Sequence, residues 1–86
     1  MKTYTATYLK HFGYGLHDFV ACEVCGAKAV DIHHIKPGST HKKLENDINN
    51  LMALCRKCHE DFGDKKQHRQ YLQKIHDEEI IKKYKL

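Results

Sequence analysis

The chain has 86 residues, enough for one small domain, whose core leaves the fold marginal unless a metal or disulfides add to it. Its 41% hydrophobic residues and single proline fit a folded unit, while the longest apolar run, Leu51-Met52-Ala53-Leu54-Cys55, is far too short to span a bilayer. A formal charge of +4 permits a polyanionic partner without demanding one.

Tyr4, Tyr8, Leu9 and Phe12 recur at helical spacing before Gly13 and Gly15 interrupt. A short amphipathic helix is expected there, then a Gly-rich turn and a second short apolar segment through Leu16, Phe19 and Val20. Met1-Lys2-Thr3-Tyr4-Thr5 opens no signal-peptide stretch, which points to the cytoplasm, where paired cysteines bind metal more often than they oxidise. Cys22-Glu23-Val24-Cys25-Gly26 reads as a tight turn, with Gly26 free to take left-handed geometry. Ala29 to Ile35 is β-branched and alternating, and predicts a strand that Pro37 and Gly38 end.

Ser39 to Asn50 is polar and reads as a loop, and Leu51–Leu54 as a second short strand. A helix follows from the Cys55–His59 region to Phe62, where Gly63 stops it. Asp64 is placed to cap a further helix from Lys65 to Ile75, with Tyr71, Leu72 and Ile75 on its buried face and a bend near His76.

Cys22-x2-Cys25 and Cys55-x2-Cys58 form two matching pairs, 29 residues apart. A two-residue spacer lets one turn direct both thiolates at a single tetrahedral ion, which predicts a structural zinc with no coordination position open to substrate. Two disulfides, or four unrelated buried thiols, are the alternative. A zinc bound here contributes roughly 10–16 kcal/mol, and that binding energy is folding energy.

Eight histidines are many for this length. Inside the cysteine frame lie Asp31-Ile32-His33-His34-Ile35, then Asn49-Asn50-Leu51, then Cys58-His59, with 15 residues between His34 and Asn50 and eight between Asn50 and His59. This ordered set, from Cys22 to about Phe62, resembles the zinc-bearing form of the HNH endonucleases of phage and bacterial type. The resemblance implies a small α+β fold, a ββα-metal hairpin and helix stapled by a four-cysteine zinc site with flanking short helices. It implies one nuclease domain over 1–86, with its motif core at 22–62 and a helical segment at 64–84.

By the same resemblance, His34 is the general base that activates water, a task suited to a group whose ordinary pKa lies near neutrality. His33 and His59 would hold a second, catalytic divalent cation (Mg, Mn, Ni, Co or Zn). Relatives often carry aspartate where His33 stands, and imidazole there favours the later metals without excluding Mg. Asn50 resembles the residue that ties the loop to the hairpin and so holds the base in place. Successive strand side chains alternate faces, so His33 and His34 serve one site only where the strand ends in a twist or bulge. Which of the two is base and which is ligand therefore stays open. Asp31, on the face of His33, is expected to be a solvated strand residue, with an imidazole-orienting role as the lesser reading.

Lys36, Lys42, Lys43, Arg56 and Lys57, with Lys65, Lys66 and Arg69 beyond them, gather charge around this motif. Such residues are candidates for contacts with DNA phosphates, which the family implies to be duplex, with the motif helix across the minor groove. The loop Ser39-Thr40-His41-Lys42-Lys43-Leu44 lacks the glycines common in relatives, which leaves loop-borne specificity unassigned. No membrane contact is expected, and the chain would act as a monomer or homodimer. Two readings compete with the nuclease: a non-catalytic zinc ribbon that binds nucleic acid or protein, and a subunit of a larger restriction or packaging nuclease.

Overall fold

The computed structural model describes residues 2–37 and 41–84, so the expectations for Met1, Gly38, Ser39 and Thr40 lie outside the described residues. In chain order it forms helix α1 (Thr3–Phe12), strand β1 (Asp31–His34), 3₁₀ turns at Lys42–Leu44 and Ile48–Asn50, and strand β2 (Leu51–Leu54). Helix α2 (Arg56–Phe62), a 3₁₀ turn at Lys66–His68 and helix α3 (Arg69–Tyr84) follow. No helix among the described residues is long and apolar enough to cross a membrane.

Gly13, at φ 74°, ends α1 as its sequence predicts, and lets the Tyr14 N–H reach back to the Leu9 carbonyl at 2.8 Å. The apolar segment after it is not a buried one. Leu16 and Phe19 are 76% and 60% exposed, and of that segment Val20 packs inward, against the cluster around Tyr8.

β1 and β2 pair antiparallel without a bulge, Asp31 opposite Leu54, Ile32 opposite Ala53, His33 opposite Met52 and His34 opposite Leu51. The first strand is shorter than predicted because Ala29 donates its N–H to the Val20 carbonyl, beside a bridge between Ala21 and Lys28. All four β2 residues are buried, for a reason set by strand periodicity. Met52 and Leu54 enter one cluster with Cys22, Ile35, Cys55, Cys58 and Leu72, while Leu51 and Ala53 enter another with Tyr8. A two-stranded hairpin is not stable alone. Here α1 covers one face and α2 with α3 the other, each large apolar side chain so buried contributing about 1.5–3 kcal/mol.

The expected cap and bend in the C-terminal segment are both corrected. Asp64 caps nothing, since it sits at φ 61° and the 3₁₀ turn that follows has Lys65 at its start, with no side-chain cap. α3 runs unbroken through His76, and Tyr71 is 48% exposed; the face turned inward is Leu72, Ile75 and His76.

His76 explains why no bend is needed. Its ring is fully buried, with Nδ1 2.8 Å from Glu23 Oε1 and Nε2 2.5 Å from the Ile48 carbonyl, both of which accept. Glu23 Oε2 in turn accepts from the Tyr8 hydroxyl at 2.6 Å and from the Ala53 N–H at 3.2 Å. Burial pulls the His76 pKa down, but the hydrogen bond and charge of Glu23, with the Ile48 carbonyl, outweigh it and leave the value raised. The polar group that sequence patterning treats as a helix break is thus a cross-tie between α1, the cysteine turn, β2, α3 and the turn that carries Asn50.

His76→Leu should therefore cost about 3–5 kcal/mol in urea unfolding, because it leaves the Glu23 carboxylate buried without its counter-charge. A folded-state pKa above the unfolded value means that the ion-pair contribution is complete below about pH 6.5 and is lost as pH rises through the raised value. The stability gap between wild type and His76→Gln should narrow toward alkaline pH, and a gap that widens there would contradict the charged pair.

Candidate active site

The turn after Val20 presents Cys22 and Cys25, closed by the Gly26 N–H on the Cys22 carbonyl at 2.9 Å, with Gly26 at φ 82°. Cys55 is the N-cap of α2, accepting the Cys58 N–H at 3.4 Å, and Cys58 lies in the first turn of that helix. No disulfide joins them, and their sulfurs all lie within 4.8 Å of one another, in one cluster and not as four unrelated thiols. Burial pushes the Cys22 thiol up, yet backbone amides of Cys55, Cys25 and Val24 aimed at the sulfur bring it to about 7. Burial and its thiol neighbours push Cys58 up. Four converging sulfurs with amide donors behind them suit a tetrahedral thiophilic ion such as zinc, and the cluster is a metal-binding one.

Strand alternation holds at the two histidines. His33 leaves β1 on the α2 side, its ring centroid 4.9 Å from that of His59. His34, the last residue of the strand, leaves on the α1 side, edge-on to Tyr4 at 4.5 Å. No bulge re-aims either ring, yet both border one cleft of about 280 Å³, lined by Ile32, His33, His34, Pro37, His59 and Asp64. Burial, with the charge of His59 beside it, pushes His33 down to about 4, so at neutral pH it offers a lone pair.

His34 Nε2 lies 2.9 Å from the Glu45 carbonyl. A carbonyl only accepts, so Nε2 carries a proton, and in the neutral ring the lone pair is on Nδ1. Asn50, buried, clasps the loop that supplies that carbonyl. Its Oδ1 accepts the Lys36 N–H at 2.8 Å, and its Nδ2 donates to the carbonyls of Lys36 at 3.0 Å and Leu44 at 3.2 Å.

Two carboxylates reach His59, one that sequence reading gave an imidazole-orienting role only as the lesser alternative and one it did not place there. Asp31 is no solvated strand residue: its Oδ2 lies 2.9 Å from His59 Nδ1. It fixes that nitrogen as the proton-bearing one and leaves Nε2 free to ligate, the usual arrangement behind a metal-bound histidine. The only trace in sequence was its place on the face of His33, and the ring it orients is on another element. Asp64 had no signal at all, being five residues past His59 and so off the His59 face of any continuous helix. Its Oδ2 stands 3.6 Å from His59 Nε2, and one ligand atom from each of His33, His59 and Asp64 lies within 4.8 Å of the other two. Two imidazoles and a carboxylate are donors that fit a divalent cation.

Lys36, Lys42, Lys43, Arg56 and Lys57 are exposed. Arg56 lines a hollow with His59, Gly63, Asp64 and Lys65 beside the cleft, and Lys36 lines another with Asn50.

A two-stranded hairpin followed by a helix, with imidazoles from both meeting in one cleft and a four-cysteine cluster behind it, is the ββα-metal arrangement of nucleases. The chain belongs to the HNH endonuclease family, DNA-cleaving proteins whose family model matches residues 22–65, about half its length. It is also 50% identical over 46 residues to a mitochondrial DNA mismatch repair protein mutS homolog of Sarcophyton glaucum. That match covers 49% of this chain but 5% of the relative, so the chain spans a small part of that protein's length. No solved structure gives a significant match.

Proposed function

We propose that the chain is a metal-dependent endonuclease that hydrolyses phosphodiester bonds of duplex DNA, its 22–62 core and 64–84 helical segment working as one nuclease domain. The observation that carries this is how the His34 ring is held. Its Nε2–H is held by the Glu45 carbonyl, so Nδ1 is left as an acceptor at the cleft that His33 and His59 also line. Nδ1 takes a proton from the attacking water, and the Glu45 carbonyl stabilises the imidazolium that forms. Asn50 acts on the reaction only through this loop, holding Leu44 and Lys36 so that the neighbouring carbonyl keeps its direction. His33 and His59 hold the divalent cation, with Asp31 orienting the second of them. That cation, when bound, neutralises charge growing on the phosphate and on the leaving 3′ oxygen. Zinc at Cys22, Cys25, Cys55 and Cys58 is structural.

DNA as the polymer is supported by the family and by the mismatch-repair name of the relative. Lys36, Lys42, Lys43, Arg56 and Lys57 supply phosphate contacts without reading bases. With one such cleft among the described residues, the chain nicks a single strand, and cutting both together takes a second copy.

Purified, zinc-loaded protein should convert supercoiled plasmid to nicked circles when Mn, Ni, Co or Mg is added and not in chelator. Intact plasmid under every cation tried would sink the reading. With about five phosphates neutralised, the subsaturating rate should fall on the order of a few hundredfold between 50 and 200 mM salt. A rate indifferent to salt would remove the basic residues from the DNA footprint.

A further inference from the structure

We infer that Asp64 supplies a third ligand to the divalent cation of the cleft, completing a two-histidine, one-carboxylate set with His33 and His59; this rests on the nuclease reading of that cleft. Asp64 is the one non-glycine residue at positive φ among the described residues, at 61°. A glycine stands immediately before it, yet Gly63 is extended, at φ −67° and ψ 151°. The left-handed position, which glycine would fill freely, is occupied by a residue that pays for it, and such outliers collect at functional sites.

Gly63 is needed for something else. A Cβ there would collide with the His59 ring at Cδ2 and with the His59 carbonyl oxygen. The absent side chain lets the backbone fold back across the imidazole, and the left-handed turn that follows brings the Asp64 carboxylate alongside Nε2 at 3.6 Å. The carboxylate serves no helix, because the next turn has Lys65 at its start, without a side-chain cap.

The placement of the donors then suits a cation. Asp31 holds the proton of His59 on Nδ1, so the lone pair of Nε2 points toward a carboxylate oxygen. One ligand atom from each of His33, His59 and Asp64 lies within 4.8 Å of the other two. A metal ion uses all three. The set favours Mn, Co, Ni or Zn over Mg, adds one negative charge to the site, and leaves positions for water and phosphate oxygens.

The test is Mn titration of zinc-loaded full-length chain, with free Mn read by electron paramagnetic resonance. Wild type should bind one Mn and H59A none. D64N keeps the shape and tolerates the left-handed backbone but loses the charge. D64G removes the carboxylate and relieves the backbone, so it keeps or raises the unfolding midpoint. Both should bind Mn at least roughly ten- to a hundredfold more weakly, the loss that even an outer partner of a metal ligand brings. If H59A loses Mn while either D64N or D64G binds as tightly as wild type, the third ligand is refuted and the nuclease reading stands. If wild type itself binds no Mn or other divalent cation, both fall together.

Discussion

His34→Ala should lower the plasmid-nicking rate by roughly 10²–10⁴-fold, the span expected when a positioned general base is removed. Its zinc content, its unfolding midpoint and its affinity for Mn should stay close to wild type. The reason lies in how the ring is held. The Glu45 carbonyl takes the Nε2 proton, and Tyr4 packs edge-on against the ring, so His34 is oriented without being one of the clustered donors His33, His59 and Asp64. Truncation removes a proton acceptor and little packing. His33→Ala should behave differently, losing Mn affinity and rate together, because His33 lies buried beside His59 and burial holds its imidazole neutral. The two variants therefore separate base from ligand, which adjacent positions in sequence leave open. An H34A protein that nicks within a few-fold of wild type, or one whose Mn affinity collapses, would overturn the assignment.

Cys25→Ala should unfold the chain, even though Cys25 is exposed while its three partners are buried. An exposed cysteine exchanged for alanine ordinarily changes stability by less than about 0.5 kcal/mol, so packing cannot account for a large loss at this position. The metal can. Zinc held by four thiolates contributes roughly 10–16 kcal/mol, against a whole-domain stability of about 5–15 kcal/mol. The cysteine cluster also lies within the core. Cys22, Cys55 and Cys58 sit in one apolar cluster with Met52, Leu54 and Leu72, so release of the ion loosens β2, α2 and α3 together. Circular dichroism of C25A should show a largely unfolded chain, and wild type should release one zinc per chain as it unfolds in chelator. A C25A protein with native ellipticity and a cooperative melt near that of wild type would show that the cluster does not hold the fold.

What could be read in the sequence is what short stretches decide for themselves. Cys22-x2-Cys25 with Gly26 predicts a tight turn from its own residues, and an apolar run of strand length, Leu51–Leu54, ahead of Cys55 predicts the second strand and the helix after it. Gly13 ends α1 because its backbone alone allows the left-handed turn. What the tertiary structure decided depends on residues far apart in the chain. Asp31 and His59 are 28 positions apart, and Glu23 and His76 are 53 apart. No periodicity within a segment encodes either pair. Leu16, Phe19 and Tyr71 look like core in a hydrophobicity pattern and are exposed, since burial depends on which faces meet and not on composition. Asp64 shows the difference most clearly. Sequence places a helix cap there, but Gly63 folds the chain against the His59 ring, and a carboxylate that local rules assign to the next helix turns toward an imidazole instead.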